Sequence, residues 1–586
     1  MNTQVLRSQL FLRTIIVVVA ALLMYSGLHA QPVYQWAKVI NNAEWGQSIA
    51  RDVKGNIYLA GLFASSSDFD PGPGSSVITI DGRNYYFAKY DADGNYLFAF
   101  ALPVPYSDEI QIAVDQSSNI YLTGALGVPD SATNIDFDPG SGEAFVSVTD
   151  GSIFVAKYDS VGNYLWAFSI DSVDDIIYGR QLDGLKSLAV DRFGNIYLTG
   201  QFHGTVDFDP STGSEAKLTS DSFDVYIAKY NTHGKYLWAH KAGGKGDDGA
   251  LGVVVDNSGS AYITGWTEGY SVFDPNAEGG FLYDSTRNLF FAKYDSSGNF
   301  KWVRSIKGRE NDNYSGMLAL DSTGNIYYSA SFDSTTDIDP GPNASYLSNY
   351  GTFIGKYSSE GQYMWAKSLG TTAKLNDMEV GISDNIYASG TVRATNYFES
   401  GNDSSKVVSI SPDVDMFIAK YAPDGKYDWA MHCGSTATAP LQMGCFLESM
   451  TIDPSENIYV AGWFGGATDF DPGPGVATIT PFLSRDIFFA KYSQVKSAVR
   501  AGTSSSSISI YPNPTLGQLH VEGLPLSTDR IEGRIYNLLG LEVLQQTNEA
   551  TAGGSMIIDV SKLSPGVYML ELRFGLGVEK IQFVKE

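Results

Sequence analysis

The sequence predicts an all-β chain: a seven-bladed β-propeller closed by an N-terminal strand, then a small Ig-like β-sandwich. Three observations carry this. A strand–turn–strand motif recurs along most of the 586 residues. Its last copy is cut short. The missing half stands alone near the N-terminus, far from its expected place.

The clearest copy is Phe154-Val155-Ala156-Lys157-Tyr158-Asp159-Ser160-Val161-Gly162-Asn163-Tyr164-Leu165-Trp166-Ala167. Its Ala/Gly-Lys-Tyr core recurs at Lys89, Lys157, Lys229, Lys293, Lys356, Lys420 and Lys491. A preceding strand of the form Asn-Ile-Tyr-Leu-Ala-Gly starts at Asn56, Asn119, Asn195, Ser260, Asn325, Asn385 and Asn457. The aromatic of the last strand appears only at Phe98, Trp166, Trp238, Trp302, Trp365 and Trp429. After Tyr492 it is missing, and Tyr34-Gln35-Trp36-Ala37-Lys38 supplies it. Four short antiparallel strands at a period of about 60–75 residues read as propeller blades. An open array would leave unpaired edges, which lending the first strand to the last blade removes.

Asp-x-x-Gly-Asn links the strands as a hairpin in which Asp caps the turn and Gly takes the left-handed position. It resembles the start of a calcium loop, but the later ligands and distal Glu are missing, so turn formation is the reading. These short turns share one face. The long, variable connections, such as 168–186, 240–250 and 304–316, share the other, which is the better place for a ligand. The repeated Lys reads as an ion-pair partner for a turn Asp.

Asn-Ile-Tyr-Leu-Thr-Gly, Asp-Phe-Asp-Pro-Gly, Phe-Phe-Ala-Lys-Tyr-Asp and Gly-Asn-Tyr-Leu-Trp-Ala together resemble the SBBP family of seven-bladed propeller repeats in exported bacterial proteins. The resemblance covers roughly residues 33–493. It implies a fold and names no activity.

The domains are expected at 1–30 (signal peptide), 31–493 (propeller), 494–507 (Ser-rich linker) and 508–586 (tail). Arg7 and Arg13 precede an apolar run over residues 15–24, too short to span a bilayer, with cleavage expected between Ala30 and Gln31. No later run is long enough for a transmembrane segment. The tail alternates like six or seven strands. It resembles the type A sorting domain of the Bacteroidota type IX secretion system at Tyr511-Pro512-Asn513-Pro514, at 535–540 with Gly540, at 559–568 with Gly566 and Tyr568, and at the terminal run from Lys580. The resemblance implies recognition by the secretion machinery and a secreted or surface-anchored product.

A net charge of −26 disfavours nucleic acid and anionic lipid as partners. The most chemical-looking motif is Asp-x-Asp-Pro-Gly. It pairs Asp68 with Asp70, Asp136 with Asp138, Asp207 with Asp209, Asp337 with Asp339, and Asp469 with Asp471. Repeat four keeps only Asp274, and repeat six has Asn396-Tyr397-Phe398-Glu399 instead. In an extended segment i and i+2 point the same way, so each pair could offer oxygens to Ca²⁺. The competing reading is a turn in which Asp caps and Pro fixes φ. Glycosidase chemistry needs a pair that departs from the repeat, and these pairs are the repeat. The six His and the single Cys pair show no metal or nucleophile spacing. Cys433 and Cys445 are either a local disulfide of an exported protein or two buried thiols. No catalytic residue and no cofactor is assigned. The leading reading is a binding or scaffold module for an unknown glycan or protein. The alternative is a polysaccharide hydrolase or lyase with a site unique to one blade. If the Asp pairs hold calcium, thermal denaturation shifts upward with added Ca²⁺; a melting temperature unmoved by chelation removes that assignment.

Overall fold

A computed structural model describes residues 31–494 and 509–585, apart from 104–109, 127–132, 150, 171–186, 212, 275, 277–278, 308–315, 333–334, 349, 400–404, 411–413, 436–443, 483–484, 512–514, 516, 523–530, 538–541, 549–555, 565 and 575–576. The expected signal peptide with Ala30, most of the linker, Pro512, Asn513, Pro514 and Gly540 lie outside the described residues. Among the described residues there is no α-helix, and no helix long and apolar enough to cross a membrane. The chain divides into two compact units, Met1–Ser497 and Ala498–Glu586.

The first unit repeats one antiparallel meander in which strands pair in sequence order. In the second repeat these are Ile110–Val114, Ile120–Ala125, Ile153–Tyr158 and Tyr164–Ile170. The first strands of the later repeats are Leu188–Val190, Gly249–Val255, Gly316–Leu320, Ala373–Val380 and Cys445–Ile452. Each lies beside the first strand of the next repeat, and Cys445–Ile452 lies beside Val33–Arg51, which in turn lies beside Ile110–Val114. Both faces of the second strand are therefore buried. In Ile57–Asp68, Ile57 and Leu59 join Ile487 and Phe489 of the last repeat, while Tyr58 and Ala60 join Ile112 and Ile120 of the next. Burial on both faces explains why these strands read as near-continuous apolar runs rather than alternating ones.

The strand Val33–Arg51 serves two sheets. Residues 33–40 pair with Asp486–Ser493, from Val33 opposite Ser493 to Ile40 opposite Ile487. Residues 46–51 pair with Ile57–Asp68, ending with Arg51 opposite Ile57. Register breaks between Asn41 and Ser48 mark the passage from one sheet to the other.

The repeated side chains fasten each meander to its neighbour. Asp52 shows the turn: its Oδ1 accepts the N–H groups of Lys54 and Asn56 at 2.9 Å each, and its Oδ2 accepts Tyr58 Oη at 2.9 Å. Gly55 takes φ of +90°, the conformation that suits glycine. Each repeated Lys lies with Nζ 4.7–5.3 Å from the ring centre of the second-strand Tyr. From there it donates to the following repeat. Lys89 reaches Ser160 O at 2.6 Å, Lys157 reaches Thr232 O at 3.0 Å, and Lys229 reaches Ser296 O at 2.8 Å. Lys491 of the last repeat reaches Ala92 O of the first at 3.3 Å. The expected ion pair with a turn Asp forms in the fifth repeat, where Lys356 meets Asp321 at 2.9 Å. Elsewhere the ammonium group chiefly meets carbonyls, because the second-strand Tyr hydroxyl takes Oδ2 of the turn Asp, as Tyr58 does at Asp52. In the fifth repeat Tyr327 Oη instead accepts from Lys356 at 2.8 Å and leaves Asp321 Oδ2 to the lysine.

Cys433 and Cys445 are free thiols, both buried, in place of the disulfide considered above. They share the apolar cluster between the sixth and seventh repeats, and burial pushes both thiols up. Cys433 Sγ instead donates to Phe470 O at 3.5 Å.

The second unit has two antiparallel sheets. One holds Ser509–Tyr511, Gln518–Glu522 and Met556–Asp559. The other holds Glu542–Asn548, Ile531–Asn537, Gly566–Phe574 and Gly577–Lys585. Leu519, Val521, Ile535, Ile558, Leu570 and Leu572 form their common core. Tyr568 is buried, with its hydroxyl donating to Ser564 O at 2.8 Å.

Residues 33–40 cover the core between the last repeat and the first. Their deletion is expected to abolish cooperative unfolding of the first unit in denaturant. Trp36→Ala alone is expected to lower its stability by about 2 kcal/mol, below the scale for a fully buried aromatic because Trp36 is partly exposed. A wild-type midpoint in the deletion variant would contradict this.

Candidate functional site

The motifs that looked most chemical are spent on structure. Asp68 Oδ1 accepts the N–H groups of Asp70 at 3.1 Å and Ser76 at 2.7 Å, and Asp70 Oδ1 accepts Gly72 N–H at 2.8 Å. Asp136 Oδ1 accepts the N–H groups of Asp138 at 3.0 Å and Ala144 at 2.8 Å, and Asp138 Oδ1 accepts Gly140 N–H at 2.8 Å. Asp207 Oδ1 accepts from Asp209 at 3.1 Å and Ala216 at 2.8 Å, and Asp209 Oδ1 accepts Ser211 N–H at 3.0 Å. Asp337 Oδ1 accepts from Asp339 at 3.2 Å and Ser345 at 2.8 Å, and Asp339 Oδ1 accepts Gly341 N–H at 2.8 Å. Asp469 Oδ1 accepts from Asp471 at 3.1 Å and Ala477 at 2.7 Å, and Asp471 Oδ1 accepts Gly473 N–H at 2.8 Å.

This geometry is that of the turn reading. The first acid of each pair caps the backbone of the second, so the two do not stand as a parallel pair of free carboxylates. The second acids, Asp70, Asp138, Asp209, Asp339 and Asp471, each cap the turn that follows, and the first acids, Asp68, Asp136, Asp207, Asp337 and Asp469, cap the backbone of the second. Backbone N–H groups thereby occupy the Oδ1 of both. The remaining oxygens of Asp70, Asp138 and Asp471 crowd Gly74, Gly142 and Gly475, where a Cβ would meet Oδ2. The residue between the two acids is buried: Phe69, Phe137, Phe208, Ile338 and Phe470. A third-strand Tyr ties down its carbonyl, as Tyr90 Oη does to Phe69 O at 2.9 Å. Among the described residues no three His, Cys, Asp or Glu side chains are grouped to hold a metal ion.

A site must then be sought where repeats differ. The second and third strands of each repeat meet at a hairpin whose outer rungs can be compared by register. In the first repeat Ser66 faces Thr79 and Asp68 faces Val77; in the third, Thr205 faces Thr219 and Asp207 faces Lys217. Each polar pair is joined by hydroxyls, at 3.2 and 2.9 Å. In the fourth repeat the same rungs hold Tyr270 opposite Tyr283 and Val272 opposite Phe281. All three rings are exposed, Tyr270 by 51%, Phe281 by 51% and Tyr283 by 76%. The Tyr270 and Phe281 rings lie 5.8 Å apart at 32°. At the Tyr270–Tyr283 rung, Ser and Thr have become exposed aromatics, a change that adds no core packing. The Phe281 position is an exposed aromatic in two other repeats as well, as Phe145 opposite Asp136 and Tyr346 opposite Asp337.

The hairpin is held firmly from beneath. The third repeat's last strand, Tyr236–Gly244, runs on to pair Gly243 with Val272 and Gly244 with Ser271. A Cβ on Gly244 would strike the carbonyl of Tyr270, and one on Gly246 that of Glu268, so glycine is required for this approach. Asp248 then fastens the underside. It is fully buried and accepts from Glu268 N–H at 2.9 Å, Ser271 Oγ at 2.8 Å and Gly244 N–H at 3.0 Å. Nearby Asp224, also fully buried, pairs with Lys241 at 2.7 Å. Inward of the rings, Arg287 packs over Trp266 with its guanidinium carbon 4.3 Å from the ring centre, and its Nη2 donates to Glu268 Oε2 at 2.9 Å. The arrangement is an exposed aromatic surface on a backbone fastened from beneath, with a charged donor–acceptor pair beside it. Nothing in it resembles a nucleophile or an accessible acid–base pair.

The sequence reading passed over this hairpin. Its only trace there was the loss of all but Asp274 from the acidic motif, and the aromatics that accompany that loss carry the signal.

Burial pushes the Asp248 carboxyl up to about 7, with the Asp224 charge adding to it and the three donors opposing. In the unfolded chain this group ionises near pH 4, so between there and about 7 the unfolded state binds fewer protons and stability falls as pH rises. Urea unfolding at pH 5 and pH 8 is expected to show such a fall, on the order of 3 kcal/mol from this group. Asp248→Asn is expected to flatten it; an unchanged slope in the variant would show that Asp248 does not titrate in this range.

The profile of the secretion system C-terminal sorting domain matches residues 509–586. An uncharacterized WD repeat-containing protein of Acanthamoeba polyphaga mimivirus is 23% identical over 530 residues, covering 75% of this chain and 37% of that protein. Regulatory protein FlaEY of Caulobacter vibrioides is 24% identical over 217 residues, 35% of this chain and 21% of that one. The chain thus spans little more than a third of the first relative's length and about a fifth of the second's. Among solved structures, a Dyadobacter fermentans protein of unknown function aligns at 10% identity and a TM-score of 0.31, over 80% of this chain and 100% of that one. A glycoside hydrolase family 32 enzyme of Bifidobacterium adolescentis aligns at 12% identity and a TM-score of 0.22, over 94% of each chain. Scores this low carry no argument. The C-terminal unit is a secretion system C-terminal sorting domain, and the protein is secreted or attached to the outer cell surface.

Proposed function

We propose that residues 31–493 form a seven-bladed β-propeller of the SBBP type, and that the exported chain works as a non-catalytic binding or scaffold module. Export would begin with signal-peptide cleavage between Ala30 and Gln31. The tail, proposed to be an Ig-like sandwich, would then be recognised by the type IX secretion machinery through residues such as Gly566, Tyr568 and Lys580. The cyclic order of first strands, the two-sheet strand Val33–Arg51 and the Lys491–Ala92 contact support the propeller. So does the name of the mimivirus relative, a WD repeat-containing protein.

The observation that carries the functional reading is the contrast between repeats. Residues common to them cap turns and join neighbours, whereas the fourth repeat adds an exposed Tyr270–Tyr283 rung beside the exposed Phe281, on a hairpin that needs none of these rings for packing. Exposed apolar groups grouped on a fixed support are the mark of an interaction site. The test is a binding and turnover screen of residues 31–586 against extracellular polysaccharides and surface proteins. Saturable binding to at least one of them, with no product released, is expected. New reducing ends or unsaturated sugars from any polysaccharide would overturn the non-catalytic reading.

A further inference from the structure

We infer that the hairpin of the fourth repeat is a glycan-binding platform, made by Tyr270, Phe281 and Tyr283 with Glu268 and Arg287 at its inner end, and that its ligand is a neutral polysaccharide. This rests on the binding reading above and names the ligand class. Four features select that class.

The first is chemical type. The exposed residues on these rungs are rings, two bearing a phenolic hydroxyl, and the one aliphatic side chain beside them, Val272, is partly buried. Flat ring faces suit the C–H faces of pyranoses, and the hydroxyls keep them wettable when unoccupied. The second is size. An aromatic side chain presents about 150–250 Å². Three of them, half to three-quarters exposed, offer a few hundred Å² at most, short of the roughly 800 Å² per partner of a stable protein interface. That area matches a short run of sugar rings. The third is polarity. Glu268 and Arg287, paired at 2.9 Å and partly exposed, give an acceptor and a donor to sugar hydroxyls next to the rings. The fourth is charge. A net −26 repels polyanionic glycans, and the uncharged rings of the platform suit neutral ones.

The platform is also pre-organised. Asp248 holds the backbone N–H of Glu268 and the hydroxyl of Ser271 from below, and Gly243 and Gly244 extend the sheet beneath the rungs. Little ordering is left for the ligand to impose, which favours binding by so small a surface.

Affinity electrophoresis of residues 31–586 in gels containing mixed-linkage β-glucan, xyloglucan or galactomannan tests this, with alginate as the anionic control. Retardation by at least one neutral polymer and none by alginate is expected. Tyr283→Ala and Tyr270→Ala are expected to weaken it at least tenfold, and Tyr346→Ala, an exposed ring on the fifth repeat, to leave it unchanged. Both lost rings are exposed, so circular dichroism and melting temperature should match wild type. Three results would overturn the assignment. No neutral polymer retards the protein; Tyr283→Ala binds as wild type does; or sedimentation shows a dimer that Tyr283→Ala dissociates, which would make the patch a contact between copies. If the protein screen succeeds while every glycan fails, only the ligand class falls. If both fail, the binding reading falls with it.

Discussion

The first unit depends on one strand shared between its two ends. Residues 33–40 complete the last meander and residues 46–51 begin the first, so a single covalent segment removes both sheet edges that a linear array would expose. It also covers the core between those meanders. Trp36 lies against Phe489 and Tyr459, and its ring packs where a side chain on Gly94 of the first repeat would project. The same contact joins Phe98 to Gly162, Trp166 to Gly234, Trp238 to Gly298, Trp302 to Gly361 and Trp365 to Gly425. The closing junction is therefore built like these five, with Trp36 packed on Tyr459 and Phe489 from the far end of the unit.

Geometry is preserved in these junctions even where residues are not. The sixth repeat has Gly381 where others have the turn Asp. Glu456 of the seventh repeat takes its place, accepting Tyr387 Oη at 2.9 Å and lying 3.3 Å from Lys420. Burial would push this carboxyl up, but the Lys420 charge and the donors of Ser383, Tyr387 and Asn385 hold it below its ordinary value. Glu456 does this from φ of +61°, a conformation that costs a non-glycine residue about 1 kcal/mol or more. Ser118 and Asp384 hold the same corner of their turns at φ of 62° and 59°, and at Glu456 that corner delivers a carboxylate to the buried tyrosine and the lysine. Against that background the fourth-repeat hairpin stands apart. Its Tyr270 and Tyr283 replace a polar rung without restoring any contact the other repeats make.

The secretion tail adds a physical setting to this contrast. A protein delivered to the outer surface meets dilute polymers in bulk solvent, where recognition must come from exposed, fixed groups. The Asp248 anchor supplies the fixing, and its raised carboxyl makes that support sensitive to proton concentration near neutrality.

Local chemistry was legible in the chain because it repeats. Asp-x-x-Gly-Asn announces a capped turn whether or not its neighbours are known, and the described Gly55, Gly94 and Gly162 take the left-handed conformation that motif requires. The displaced Trp36 likewise announced an exchange between the ends, since a fourth strand missing after Tyr492 and present before it in the chain has one economical use. The partners of buried groups were not legible. Most of the repeated lysines found carbonyls one repeat ahead, because the second-strand tyrosine hydroxyls take the turn carboxylates. Spacing alone left Asp138, Asp339 and Asp471 open between a cation and a turn; the glycine N–H two residues on takes each of them. Cys433 and Cys445, close in sequence, sit as separate thiols in one apolar seam. Tyr270 and Tyr283 are neighbours only through strand register, and Asp248 meets Glu268 and Ser271 only because glycines let two backbones touch. Sequence determined the repeats, the turns and the export tail, each written in a short local pattern. Tertiary structure decided which side chains are spent in the seams and which are left facing water, because burial is a property of what packs alongside.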